Sequence, residues 1–185
     1  MRTGATAAFL NTATTSPAIA LATLELQRAQ RLDPAAAGLR LVPFSLGVIV
    51  GATLAGRALR RLPGGVVIAL GLSCIGAGDG FLAALHHAPV STGVAVAGTG
   101  IGLSSVAATG LGTSVEARMQ AAAGTINTAA QLGTALGVVG VLLVVAMAAG
   151  SGLPLQGPRL GWAVAASLAL AGAALTATRN RVLRA

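Results

Sequence analysis

Asp79 is the only acid well inside a long apolar run, GAGDGFLAAL. A carboxylate held at bilayer depth is costly and marks a functional candidate. Desolvation suits such a group to a proton relay. The competing reading is structural: interfacial exposure toward the outer end of its helix, or an ion pair. Arg40, near the outer end of the preceding run, is the candidate partner, because helices joined by a short loop tend to be neighbours.

A second set of polar residues sits in GTINTAAQLGTALG, where Thr125, Asn127, Thr128, Gln131 and Thr134 recur at roughly helical spacing. Amides offer donors and acceptors without a charge, which fits contact with a small-molecule substrate. The same groups can instead bond one helix to another. Asn11 and Thr15 in the first run have the same two readings. His86 and His87 lack Cys or acidic neighbours and make no metal site; an exposed pair at a helix end is expected. Ser73, Asp79 and His86 come without a nucleophile elbow, so no catalytic residue is assigned and the chain is read as no enzyme. Gly98-Thr99-Gly100-Ile101-Gly102 lacks the preceding strand of a nucleotide fold. No cofactor is implied.

The composition decides what these residues sit in. Of 185 residues, 55% are hydrophobic and 9% charged, with mean hydropathy +0.83. Soluble domains carry about 25% charged residues, so this chain belongs in a lipid bilayer. The net charge of +8 comes from arginines clustered at the ends of apolar runs, where they set topology. That placement argues against nucleic acid. Cys74 has no second cysteine to pair with. Arg2 before an apolar stretch resembles a signal peptide, but 5–24 is rich in Thr and has no compact apolar core, so it is read as a retained helix.

Six spans are expected, at about 3–24, 36–55, 66–85, 92–111, 122–149 and 160–178, each too long for a barrel strand. The predicted fold class is an all-α, six-helix membrane bundle over 1–185, with no room for a second domain. ELQRAQRLDP, GRALRRLPGG, HHAPVS, GTSVEARMQA and GSGLPLQGPR supply the helix breaks. Pro17 and Pro43 fall inside helices and are expected to kink them.

Six helices put both ends on one side, with Arg2, Arg57, Arg60, Arg61, Arg118, Arg179, Arg181 and Arg184. Arg28, Arg31, Arg40 and Arg159 fall on the other. The bias places both termini and the Arg57/Arg60/Arg61 loop in the cytoplasm and the chain in the plasma (inner) membrane. Glycines four apart, Gly47/Gly51, Gly76/Gly80, Gly98/Gly102 and Gly133/Gly137, predict close helix packing. Gly38, Gly47 and Gly51 recur as Gly124, Gly133 and Gly137 at the same spacing, in helices that cross in opposite directions. An inverted three-plus-three repeat gives that pattern.

Three stretches resemble a known family. Phe9-Leu10-Asn11-Thr12-Ala13 through Leu24-Glu25-Leu26-Gln27, followed by Asp33-Pro34-Ala35-Ala36-Ala37-Gly38-Leu39-Arg40-Leu41-Val42-Pro43, is the first. Gly51 followed by Arg60-Arg61 is the second. Ala123-Gly124-Thr125-Ile126-Asn127-Thr128 with Gln131-Leu132-Gly133 and Gly137 is the third. Together they resemble the C-terminal half of a major facilitator superfamily transporter of the fourteen-helix drug:proton antiporter branch. The chain departs from that pattern at Ala55, Ala58 and Glu25, and it matches one half of a two-half family. The resemblance implies one wall of a cavity between two halves that rock against each other. It makes the helix with Asn127 and Gln131 cavity-lining and the helix with Asp79 peripheral. The implied partners are the lipid bilayer, a small-molecule substrate, and a second transporter half or a second copy as a homodimer. A non-transporting membrane module or truncated remnant that associates with other helices is the alternative.

Overall fold

The computed structural model describes residues 2–85, 89–112, 119–149 and 157–182. They form six long helices: α1 (Arg2–Leu24), α2 (Pro34–Ala58), α3 (Gly64–Ala84), α4 (Val90–Gly112), α5 (Met119–Met147) and α6 (Pro158–Val182). No strand occurs among the described residues. α2 to α6 each contain a stretch long and apolar enough to cross a membrane, which fits residence in a bilayer. α1 is as long but does not reach that hydropathy, because Asn11, Thr12, Thr14, Thr15 and Ser16 interrupt it. Its position resolves the conflict: α1 packs against α4, α5 and α6, so its polar turns are turned away from lipid.

Local chemistry sets the helix ends. Asp33 caps α2, its Oδ1 accepting from the Ala35 and Ala36 N–H groups at 3.0 and 3.1 Å, with Pro34 in the first turn. α1 runs on into a π-helical turn, Glu25–Ala29, which the sequence reading did not foresee. It closes with Leu32 N–H donating to Leu26 O at 3.1 Å and Arg31 at φ 53°, a left-handed position that glycine usually fills.

Chain order does not set who neighbours whom. α4 packs closely on both α2 and α3, α1 on α5, and α3 on α6, whereas α2 and α3 barely touch. The expectation that consecutive helices adjoin therefore fails for α2 and α3, which both lie against α4 and hardly meet each other.

The two parallel pairs, α2 on α4 and α1 on α5, are built alike. Gly47 and Gly51 of α2 face the carbonyl oxygens of Ala95 and Thr99; Gly133 and Gly137 of α5 face those of Phe9 and Ala13. The steps 47 to 133, 51 to 137, 9 to 95 and 13 to 99 are all 86 residues. The reciprocal contacts keep the same step. Gly98 and Gly102 of α4 face the carbonyls of Phe44 and Val48. At the matching places on α1, Thr12 Oγ1 donates to Ala130 O at 2.6 Å and Ser16 Oγ meets Thr134 Oγ1 at 3.2 Å. One pair closes on glycine and the other on hydroxyls. The sequence carries the same step further than its glycines: Ala35-Ala36-Ala37-Gly38 and Leu46-Gly47 recur as Ala121-Ala122-Ala123-Gly124 and Leu132-Gly133. Of the remaining predicted packing glycines, Gly76 lies against Leu170 of α6, but Gly80 meets only the Ala166 methyl at 4.0 Å.

The core is layered. One buried apolar cluster holds Ala18, Leu21, Leu26, Leu82, Val94 and Trp162. The other holds Ala7, Ile68, Leu72, Ile75, Ala107 and Ala169. The buried polar residues Asn11, Thr14, Thr15, Asp79 and Ser104 fall between them along α1, α3 and α4, at more than one level: Ser104, bonded to Asn11, packs on Gly71, eight residues before Asp79 on α3.

The glycine contacts yield a test. Gly51→Ala and Gly137→Ala push a methyl into a facing backbone and should each cost about 1–3 kcal/mol. Gly56→Ala and Gly140→Ala, which meet nothing within 4 Å, should be neutral or raise stability by up to about 1 kcal/mol. Thermal unfolding of the four variants in detergent checks the contrast.

Candidate functional site

A groove of about 280 Å³ opens between α1, α4 and α5. Asn11, Thr12, Ser105, Thr109 and Asn127 bring polar groups to it, with alanines between them. Helical spacing explains the assembly on α1 and α4: Asn11 and Thr12 share one turn, and Ser105 and Thr109 lie one turn apart. The small residues Ala8, Ala108 and Ala130 leave the room.

Asn11 forms the floor. It is 1% exposed. Its Oδ1 accepts from Ser104 Oγ at 2.7 Å, and its Nδ2 donates to Ser105 Oγ at 3.4 Å. Ser104 Oγ also lies 2.8 Å from Gly100 O. Asn11 thus ties α1 to α4 and presents what remains of its amide to the groove. Asn127 is exposed on the opposite wall. Of the residues singled out in the sequence, Asn11 and Asn127 are brought together. Thr125, Thr128 and Gln131 are exposed on α5 and do not line the groove. Gln131 follows Asn127 by one helical turn and so continues its face. Thr15 turns inward and is 2% exposed. Ser104, Ser105 and Thr109 were missed; their signal was the adjacent serine pair in the otherwise apolar GLSSVAATG.

Asp79 is neither interfacial nor paired. It is 0% exposed, and both carboxyl oxygens lack a hydrogen-bond partner. The expected pair with Arg40 does not form: Arg40 is exposed on α2, which hardly meets α3. Arg40 instead lines a second cavity of about 550 Å³, with Glu25, Gln30, Ser91, Arg159 and Trp162. There Arg159 holds the end of α3, its Nε donating to Ala83 O at 2.9 Å and its Nη2 to Ala84 O at 3.1 Å. This satisfies carbonyls that a helix C-terminus leaves open. Trp162 Nε1 donates to Ala18 O at 3.2 Å and fixes α6 on α1.

Ser73 is exposed, its hydroxyl donating to Ala69 O at 2.9 Å, while Asp79 is enclosed. His86 and His87 lie outside the described residues, as does Arg118. Among the described residues no three His, Cys, Asp or Glu side chains gather as a metal site would require. Arg57, Arg60 and Arg61 are exposed at the α2–α3 connection.

The Asn11–Ser104 bond should show as a coupling. Interhelical bonds in membranes average about 0.6 kcal/mol and reach about 2. Asn11→Ala and Ser104→Ala should each destabilise the bundle, and the double variant should cost less than their sum by that amount. A double-mutant cycle of denaturant unfolding in bicelles measures it; strict additivity would show that the bond contributes nothing. Compared with known proteins, the chain matches no family model and no curated protein.

Proposed function

We propose that this chain is one six-helix half of a proton-coupled transmembrane exporter of small amphipathic molecules, of the major facilitator type. The observation that carries the reading is the interface repeated at a step of 86 residues. It relates α1 and α2 to α4 and α5, helices that run in opposite directions, as an inverted repeat does. Both helices of the repeat that lie outermost, α2 and α5, leave apolar side chains uncovered, among them Leu39, Leu46, Ile49, Leu132, Leu136 and Val139. A second half, supplied by another chain or by a second copy, covers the face of α5 that carries Asn127 and Gln131. Rocking of one half on the other then opens the Asn11–Asn127 groove to alternate sides.

In this reading both termini and the Arg57/Arg60/Arg61 loop face the cytoplasm of a plasma (inner) membrane. Arg159, one of four arginines at the opposite end, is committed to the α3 terminus and weighs less against that bias.

A non-transporting module or remnant is the second reading. Asn11 favours it, because its amide is already engaged as interhelical glue. Reconstitution separates the two. The chain in proteoliposomes should export a cationic dye, driven by a proton gradient, only as a crosslinked dimer or with an added partner half, and Gln131→Leu or Asn127→Leu should weaken that export several-fold. Export by a strict monomer, or none under any pairing, rejects the proposal. Labelling of a cysteine placed at Arg60, on a Cys74→Ser background, by an impermeant external reagent would overturn the orientation.

A further inference from the structure

The proton-coupled reading above names no group that carries the proton, and the buried carboxyl of α3 has no role in it. Thr15 Oγ1 and the two oxygens of Asp79 are the buried side-chain polar atoms left without a hydrogen-bond partner among the described residues. Both residues sit between the two apolar clusters, Asp79 on α3 between Ile75 and Leu82, Thr15 on α1 between Ala7 and Ala18. Among the described residues, no charged group bonds to Asp79. α4 carries no titratable residue along its length, and α1 carries none from Thr3 to Leu24. On α6, Arg159 meets the carbonyls of Ala83 and Ala84, a full turn beyond Asp79. Arg40 and Arg57 on α2 are exposed, Glu25 lines the end cavity, and Cys74 is the other titratable group of α3.

We infer that Asp79 forms a proton-binding site inside this bundle. An anion enclosed without a partner is not tolerated at this depth, so the carboxyl must be neutralised by a proton or a metal cation. A metal ion calls for about six oxygen ligands, and Asp79 offers two unpartnered ones, the helix carbonyls being engaged along the chain. A proton needs one. On binding, a proton from water adds to one carboxyl oxygen and gives a neutral acid whose new O–H can donate; on release it returns to water.

The route to water runs through the end cavity. Its floor includes Leu82 and Trp162, and Asp79 lies three residues before Leu82, about 4.5 Å deeper along the helix axis. Gly78 and Gly93 allow α3 and α4 to close around this point: a methyl on Gly78 would meet the Gly93 carbonyl at 2.6 Å, and Gly93 itself packs on Leu82. Proton exchange therefore needs Leu82 and Trp162 to part. The inference holds whether or not the chain exports anything.

The chain has two aspartates, Asp33 and Asp79, so labelling with aspartate carrying carbon-13 at the side-chain carboxyl gives two signals. In bilayers at neutral pH, solid-state NMR of the full chain should show one carboxylate, removed by Asp33→Asn, which keeps the helix cap. The other should be a carboxylic acid. A carboxylate signal from Asp79 at neutral pH overturns the inference, as does a sodium-dependent shift of that signal at fixed pH. Leu82→Ala should speed deuterium exchange of the acid, read as its infrared carbonyl shift in D2O, by at least about tenfold; an unchanged rate overturns the route.

Discussion

Helices in a bilayer gain little from hiding apolar side chains from one another, because lipid tails are equally apolar; close packing of backbones and interhelical hydrogen bonds must hold them together. This constraint runs through the whole bundle. Gly47, Gly51, Gly133 and Gly137 bring carbonyls of a neighbouring helix against bare Cα atoms. Weak Cα–H···O contacts become available there. Where Thr12 and Ser16 replace glycine, hydrogen bonds take over the same task at the same step. The parallel pairs are thus fixed by small residues and hydroxyls rather than by greasy faces, and the large apolar side chains are left for lipid or a partner.

The buried polar groups follow from the same economy of contact. α1 can carry five polar residues within six positions because three helices enclose it. Its asparagine reaches Ser104 and Ser105 across to α4. Two apolar clusters flank these groups. Water-free surroundings make each satisfied bond stronger and each unsatisfied oxygen more costly. Asn11 and Asp79 stand on the two sides of that balance.

Much of this was legible in the sequence and some was not. Apolar runs broken by Pro, Gly and Arg placed six helices to within a few residues, and glycine spacing marked the helices that approach closely. Gly38, Gly47 and Gly51 against Gly124, Gly133 and Gly137 pointed to a repeat whose full step appears only once Ala95, Thr99, Phe9 and Ala13 are seen opposite them. What the residues could not give was neighbourhood. A short loop between α2 and α3 suggested contact, but two helices can be joined at one end and diverge around a third. That error carried Arg40 to Asp79. GAGDG held the better clue: Gly76 and Gly78 let α6 and α4 close in on two sides of the helix, so the acid between them is enclosed. The amides of α5 were ambiguous for a related reason, since periodicity puts Asn127 and Gln131 on one face without saying what that face meets.

The modest hydropathy of α1 also bears on how the protein is made. Insertion machinery admits a segment according to its own apolarity, and α1 offers little. The helices that shield it, α4, α5 and α6, emerge from the ribosome later. Within this chain, the helices that enclose its threonines are therefore complete only once the second triplet has been made. Synthesis order and assembly order run against each other here, and an interruption after α3 would strand a polar helix with none of its principal partners.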